Sequence, residues 1–264
     1  MSQASDYIEN EILDHVLGNG AFTSPATLFV RLYTSATDDT GGGTEVTGGS
    51  YAATACTFGA STTNGVVTTS GTVTFPTATG AWGTVTHLAI WDAATGGNQI
   101  SHGALDGVGG KTVTTNDTFE ISAGQLTQTV SGTATDYLEQ KVADHIFSEG
   151  ARTYTPASGI YIAMFSALPT DAGTYAEIAS TGSYARANAT GAFANAVSGT
   201  CTNDVSIDFP TATANWSATA THYGIFDAST AGQMLFWDLL DENKTVTNGD
   251  TLKFPIGDIS ISLA

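Results

Sequence analysis

The chain writes one pattern twice. "FPTATGAWGTVTHLAIWDAATGG", starting at Phe75, returns as "FPTATANWSATATHYGIFDASTAGQ" from Phe209, and "DYIENEILDHVLGNG" from Asp6 returns as "DYLEQKVADHIFSEG" from Asp136. The offset is 130 residues at Asp6 and Asp136, 131 at Pro25 and Pro156, 134 at Phe75 and Phe209, 135 at His87 and His222, and 133 at "KTVTTNDTF" and "KTVTNGDTL". Such drift marks insertions and deletions in loops between elements that keep their order. The period is well above the roughly 20 to 50 residues of a solenoid repeat, so the duplication predicts two tandem domains. They are expected at residues 1–131 and 132–264, with "LTQTVSGTATD", 126–136, as a Ser-, Gly- and Thr-rich connection.

Each copy opens on a helix pattern and then changes rhythm. Tyr7, Ile8, Ile12, Leu13, Val16 and Leu17 recur at spacings of three and four and form one apolar stripe. Asp6 with Glu9 predicts the helix start, Gly18 or Gly20 its end, and Asp136, Glu139 and Gly150 repeat the signals. "TLFVRLYTSA" and "GIYIAMFSA" then alternate, as strands with one buried face do. Asn248-Gly249, between "KTVT" and "DTLKF", reads as a hairpin turn. About seven or eight strand-like runs per copy, separated by Gly, Thr, Asn and Asp clusters, predict a mainly β chain. The expected fold is two tandem antiparallel, jelly-roll-like β-sandwiches, each preceded by a short helix.

Charge narrows the partners. The 25 acidic and 7 basic residues of the 264-residue chain give a net charge of −18, which repels phosphate backbones and argues against nucleic acid. No apolar run approaches the roughly 20 residues of a membrane span, and "MSQASDYIENE" lacks the basic start and apolar stretch of a signal peptide, so neither membrane nor classical export is expected. Cys56 and Cys201 fall at non-matching places in the two copies, and buried free thiols are expected.

His87 and Asp92, repeated as His222 and Asp227, are the obvious candidates for a catalytic or metal pair. Residues five apart in an extended strand point to opposite faces, and no nucleophile elbow accompanies them. A structural reading covers more of the signature, which comprises Phe75, Pro76, Trp82, His87 and Asp92 and their counterparts Phe209, Pro210, Trp216, His222 and Asp227. Asp92 and Asp227 precede Gly-containing turns, where an Asp carboxylate bonds backbone two residues on; Pro76 and Pro210 end strands; Trp82 and Trp216 anchor a core or domain edge. "TDDTGGGTE", with Asp38, Asp39 and Glu45, lacks calcium-loop spacing and reads as a solvated hairpin loop; its counterpart keeps Asp171 and Glu177. "DGVGGKT" lacks the first P-loop glycine. His102, which Trp237 or its neighbour replaces in the second copy, reads as a surface or edge residue. No catalytic residue, cofactor site or metal site is assigned, and no pair of carboxylates announces a glycan hydrolase.

The linked motifs resemble a family. "DYIENEILDHVL", "GTEVTGGSYA", "FPTATGAWGTVTHLAIWDAATGG" and "KTVTTNDTF" in the first copy are similar to the small tailed-bacteriophage proteins commonly labelled phage tail fibre protein. "DYLEQKVADHIF", "GSYAR", "FPTATANW", "THYGIFDASTAG" and "KTVTNGDTLKFPIGD" carry the resemblance in the second. One departure is Ala53 in the first copy, where the second has Arg186 after "SYA". The resemblance implies a non-enzymatic structural protein on the exterior of a virion, made in the host cytoplasm. Its partners would be other capsid or tail subunits and copies of itself. Two placements follow: a capsid decoration or cement protein, expected as a trimer over joints of the shell, or a tail fibre or adhesin component binding a host glycan or protein. The chain has no heptads, collagen-like repeat or stalk-forming segment, which favours decoration.

Overall fold

A computed structural model describes residues 2–61, 64–105, 109–148 and 154–263. The first repeat runs β1 (Ser2–Ala4), α1 (Asp6–Leu17), β2 (Leu28–Tyr33), β3 (Thr54–Cys56), β4 (Val66–Thr68), β5 (Val73–Thr74) and β6 (Gly83–Val85). It continues β7 (His87–Trp91), β8 (Gln99–Ala104), β9 (Lys111–Val113), β10 (Glu120–Ile121) and β11 (Thr127–Thr129). The second runs α2 (Asp136–Phe147), β12 (Tyr161–Phe165), β13 (Ala187–Asn188), β14 (Thr200–Thr202), β15 (Ile207–Asp208), β16 (Ala220–Phe226), β17 (Met234–Lys244), β18 (Lys253–Phe254) and β19 (Ser260–Ser262). The chain is therefore mainly β, with a helix at the start of each repeat, as the periodicity predicts.

Each repeat is built around one larger antiparallel sheet, ordered β1-β8-β7-β2-β3 in the first and β13-β12-β16-β17 in the second. A second layer consists of two-stranded ladders: β10-β5, β11-β4 and β6-β9, against β14-β19 and β15-β18. The inward face of the main strands carries Leu28, Val30, Leu32 and Ile90 in the first repeat and Ile162, Met164 and Ile225 in the second, all buried. Over this stretch the second repeat is the shorter, with 22 positions from His222 to Lys244 against 24 from His87 to Lys111; β17 runs on where β8 and β9 are separate and is bulged, with His222 opposite Leu239 but Ala220 opposite Lys244.

The helices are capped by residues other than those expected. Ser5 and Thr135, in extended conformation, accept bonds from the Ile8 and Leu138 amides, so Asp6 and Asp136 become the first helical residues. A hydroxyl one residue earlier can reach the free amides of the first turn, and each also bonds a strand carbonyl, of Gln99 and Met234 respectively, which ties the cap to the sheet. Gly18, at φ +83, ends α1 as expected; α2 ends at Phe147 with Ser148 as its cap, and Gly150 lies outside the described residues. Two further expectations need correction. The stretch 126–136 is not all linker, since β11 pairs with β4 inside it. Asn248-Gly249 is a tight turn, but β17 and β18 pair with β16 and β15 and not with each other, so it joins separate ladders and closes no hairpin. Cys56 and Cys201 are buried thiols outside any disulfide.

The greasy stripe of each helix lies across both repeats. Helix α1 packs on its own β8 and on β14 of the second repeat; α2 packs on its own β17 and on β4 of the first. The polar contacts reciprocate. The Asp14 carboxylate accepts the Ala196 amide (2.7 Å), and the Asp144 carboxylate accepts the Ser61 amide (2.5 Å). Asn19 donates to the Ala194 carbonyl (2.9 Å), and Ser148 to the Gly59 carbonyl (2.6 Å). His15 and His145 stack at 4.9 Å between ring centres, each meeting its own counterpart as at the centre of a symmetric dimer. Buried apolar side chains of both repeats accordingly join one core, from Ile8 and Val67 to Cys201 and Ile261.

Removing either helix carboxylate leaves a loop amide without its partner. We expect Asp144→Ala and Asp14→Ala each to destabilise the chain by about 1–3 kcal/mol, the former more because it is the more buried. Calorimetry of the whole chain should show one cooperative transition; two resolved transitions would refute the reciprocal coupling.

Candidate functional site

The signature residues occupy two settings. Phe75 and Trp82 are buried, and with Tyr51 and Phe119 they form an aromatic cluster with ring centres 5.4 to 6.4 Å apart, Tyr51 stacked on Phe75 and the other pairs edge-to-face. Phe209 and Trp216 form a similar cluster with Tyr184 and Phe254, which stands in the place of Ile121, while Leu252 takes that of Phe119. The indole of Trp82 donates to the Gly49 carbonyl (2.9 Å). Pro76 and Pro210 follow the ends of β5 and β15 by two residues.

His87 and Asp92 do not converge. His87 Nδ1 bonds the Thr86 hydroxyl at 2.9 Å, and His222 bonds Thr221 at 2.8 Å. Asp92 instead closes the turn between β7 and β8, accepting the Asn98 amide at 2.7 Å, and Asp227 accepts the Gln233 amide at 2.7 Å. The reach is six residues and not the two expected, because the turn is longer than a simple Asx turn and folds back over the carboxylate. Gly97 and Gly232 lie so close to these carboxylates that a β-carbon would collide with them, and both hold positive φ, +76 and +73.

The acidic loop is a solvated hairpin loop, as expected: Tyr33 and Glu45 pair across its base, and Asp38, Asp39 and Thr40 are exposed. It also reaches the main sheet, where side-chain N–H groups and a guanidinium hold it. Asp39 pairs with His102 at 2.9 Å; His102 is 5% exposed, a buried residue where a surface one was expected. In the second repeat the indole of Trp237, opposite Gly224 as His102 is opposite Ala89, donates to Asp171 at 2.9 Å. Two different side chains thus hold equivalent carboxylates from equivalent rungs.

A guanidinium completes each loop anchor, and it arrives from different strands. In the first repeat Arg31 of β2 donates to the Ala93 (2.8 Å) and Gly96 (2.5 Å) carbonyls, lies 3.7 Å from Glu45 and sits 4.0 Å over the Trp91 ring. In the second, Arg186 beside β13 grips Glu177 with Nε (3.0 Å) and Nη2 (2.8 Å). Its Nη1 donates to the Ala228 (2.9 Å) and Ala231 (2.7 Å) carbonyls, and it covers Phe226 at 3.6 Å. Arg31 corresponds to Ala163, and Arg186 to Ala53. Tyr51 and Tyr184 support both sites, donating to Glu45 and Glu177 (3.1 Å each) and accepting the Leu32 (2.8 Å) and Met164 (2.9 Å) amides. Burial raises both phenols.

Two carboxyls at the seam between repeats are also perturbed. Glu9 and Glu139 are pushed up to about 7, by burial first and then by Asp39 and Asp6 for Glu9, and by Asp136 and Asp171 for Glu139. Glu9 lies against Gly199 of the second repeat and Glu139 against Gly65 of the first, where a β-carbon would collide with either. Among the described residues no group of three or more His, Cys, Asp or Glu is placed to hold a metal ion, and no helix is long and apolar enough to cross a membrane.

The geometry defines a class: a duplicated β protein whose repeated polar residues fasten loops to sheets and one repeat to the other. A family model described as podophage GP4 fiber I protein gp80 matches residues 3–129 and again residues 133–262. The chain belongs to that family, in two tandem copies. No curated protein matches it. The family fits the fibre placement better than the capsid decoration that the missing stalk favoured, and absence of a stalk in one chain does not bear on where a fibre carries it.

Two expectations follow. Arg186→Ala should cost about 3–5 kcal/mol, since it strands Glu177 and two carbonyls. Arg31→Ala should cost less, and Ala53→Arg should restore stability in the Arg31→Ala background while lowering it alone, where two guanidinium groups contend for one seat; denaturant unfolding of the four chains decides. For Glu9 and Glu139 the folded state holds the proton more tightly, so their contribution favours folding below about pH 4.5 and is lost as pH rises to about 7. The paired Glu9→Gln, Glu139→Gln chain should have the higher melting temperature at pH 8 and little advantage at pH 4.5. A uniform shift at both would exclude linkage to these carboxyls.

Proposed function

We propose that the chain is a non-enzymatic component of a tail fibre on the outside of a podophage-type virion, made in the host cytoplasm and bound there to other virion proteins and to copies of itself. The observation that carries this reading is the fibre-family match over both repeats. The geometry is compatible. The ionisable residues shared by the repeats are engaged in fastening loops, so we read the ten signature positions as preserving shape. Residues 1–131 and 132–264 are read as homologous domains whose fusion keeps a pair together at high effective concentration.

Immunogold electron microscopy of purified virions, with antibody raised against the whole chain, tests the placement. Label confined to the tail, at a few dozen copies per particle at most, is expected. Label over the capsid surface at hundreds of copies would establish decoration instead.

A further inference from the structure

Both repeats leave an open cleft at the same place, where the helix start, the acidic loop and the turn between the two central strands come together. In the first repeat Asp6, Tyr7, Asp39, Trp91, Asn98 and Gln99 line a space of about 310 Å³. In the second Asp136, Tyr137, Asp171, Tyr175 and Gln233 line about 170 Å³. Two carboxylates, a phenol and a carboxamide recur at matching positions, although the aromatic companion differs.

The polar groups of the larger cleft are held in place. Asp39 is fixed by His102 at 2.9 Å and Asn98 by Asp92, through its amide (2.7 Å) and its side chain (2.9 Å). Gln99, 4% exposed, donates to the Asp38 carbonyl at 2.7 Å, while its Oε1 has no partner. Gln99 therefore forms the fixed floor of the cleft, and the groups open to a ligand are those of its walls: Asp6, Tyr7, Asp39, Trp91 and Asn98. Planar carboxylates and carboxamides accept from and donate to neighbouring hydroxyls in pairs, and aromatic walls cover the C–H face of a ring. The same carboxylates repel phosphate, sulfate and sialic acid. The volume is at the lower end of ligand pockets, roughly 300–1,000 Å³, so it suits one ring and not a long chain.

We propose that the cleft of the first repeat binds one neutral sugar ring of a surface glycan. The biological use of such binding rests on the fibre reading; the binding itself does not. The smaller cleft of the second repeat is a relic of the duplication with too little room.

The test applies the full chain to an array of neutral, N-acetylated, sialylated and sulfated glycans, followed by saturation-transfer NMR with methyl glycosides of glucose, galactose and N-acetylglucosamine. Binding to a neutral or N-acetylated class is expected. Thr40 is exposed on the rim, so Thr40→Trp should fill the cleft and abolish binding, while Ala172→Trp in the second repeat leaves it unchanged. Asn98→Ala, expected to weaken binding about tenfold, decides if Thr40→Trp fails to fold. The proposal is overturned by an array with no neutral binder, by preference for anionic glycans, or by binding that survives both first-repeat variants. Tail labelling of the virion is an independent measurement, so a fibre protein that binds no sugar would sink this inference and leave the placement standing.

Discussion

The structure depends on the crossing of two helices, each of which covers a ladder belonging to the other repeat. A sandwich of this size has two openings to close, and its own helix closes only part of them. Asp14 and Asp144 then satisfy loop amides that would otherwise be buried without partners. The contact is reciprocal, residue for counterpart, and its centre is a pair of stacked imidazoles. Burial and the neighbouring imidazole lower the His15 pKa, which keeps it neutral and lets Nδ1 accept the Phe22 amide at 3.0 Å. Such an arrangement needs both repeats present together, and covalent fusion guarantees it.

Outside that seam the repeats have drifted, and the drift follows physical rules. What is kept is a charge at a place, not a residue at a position. The guanidinium over the outer sheet face satisfies two turn carbonyls and one glutamate in each repeat, yet it issues from neighbouring strands. Its Nε is unpartnered in Arg31, whereas Arg186 makes the bidentate pair with Glu177, so the second anchor is the better made. His102 and Trp237 show the same economy with a different chemistry, since any N–H donor on that rung can hold the loop carboxylate. Cleft volume has diverged along with these anchors, because the loop that bounds the cleft is the loop they hold.

Under the proposed placement in a fibre, this division has a plain consequence. Loops fastened by buried ions to the face of a sheet can change their tips without loosening their roots. Exposed loop surfaces can therefore differ between repeats that share one framework. The acidic surface works in the same direction, discouraging association with anionic polymers.

Much of this was legible in the residues. The helices, the alternation of β2 and β12 and the mainly β class follow from periodicity, which is local and repeats within a few residues, and the duplication follows from direct repetition of the letters. The separation of His87 from Asp92 was expected from strand alternation, but Asp92 stands past the end of β7, in the turn that it closes. Other features depend on partners far along the chain. Ala53 against Arg186 is visible as a departure, but its complement, Arg31 against Ala163, gains meaning only when β2 and β3 are seen side by side. The burial of His102 required the loop to fold back on the sheet. The exchange of helices left no mark at all, since an apolar stripe records that a face is covered and not by which repeat. Local order was thus determined by the sequence of side chains, while tertiary structure decided which carboxylate meets which amide, because those distances close only when two separate layers pack.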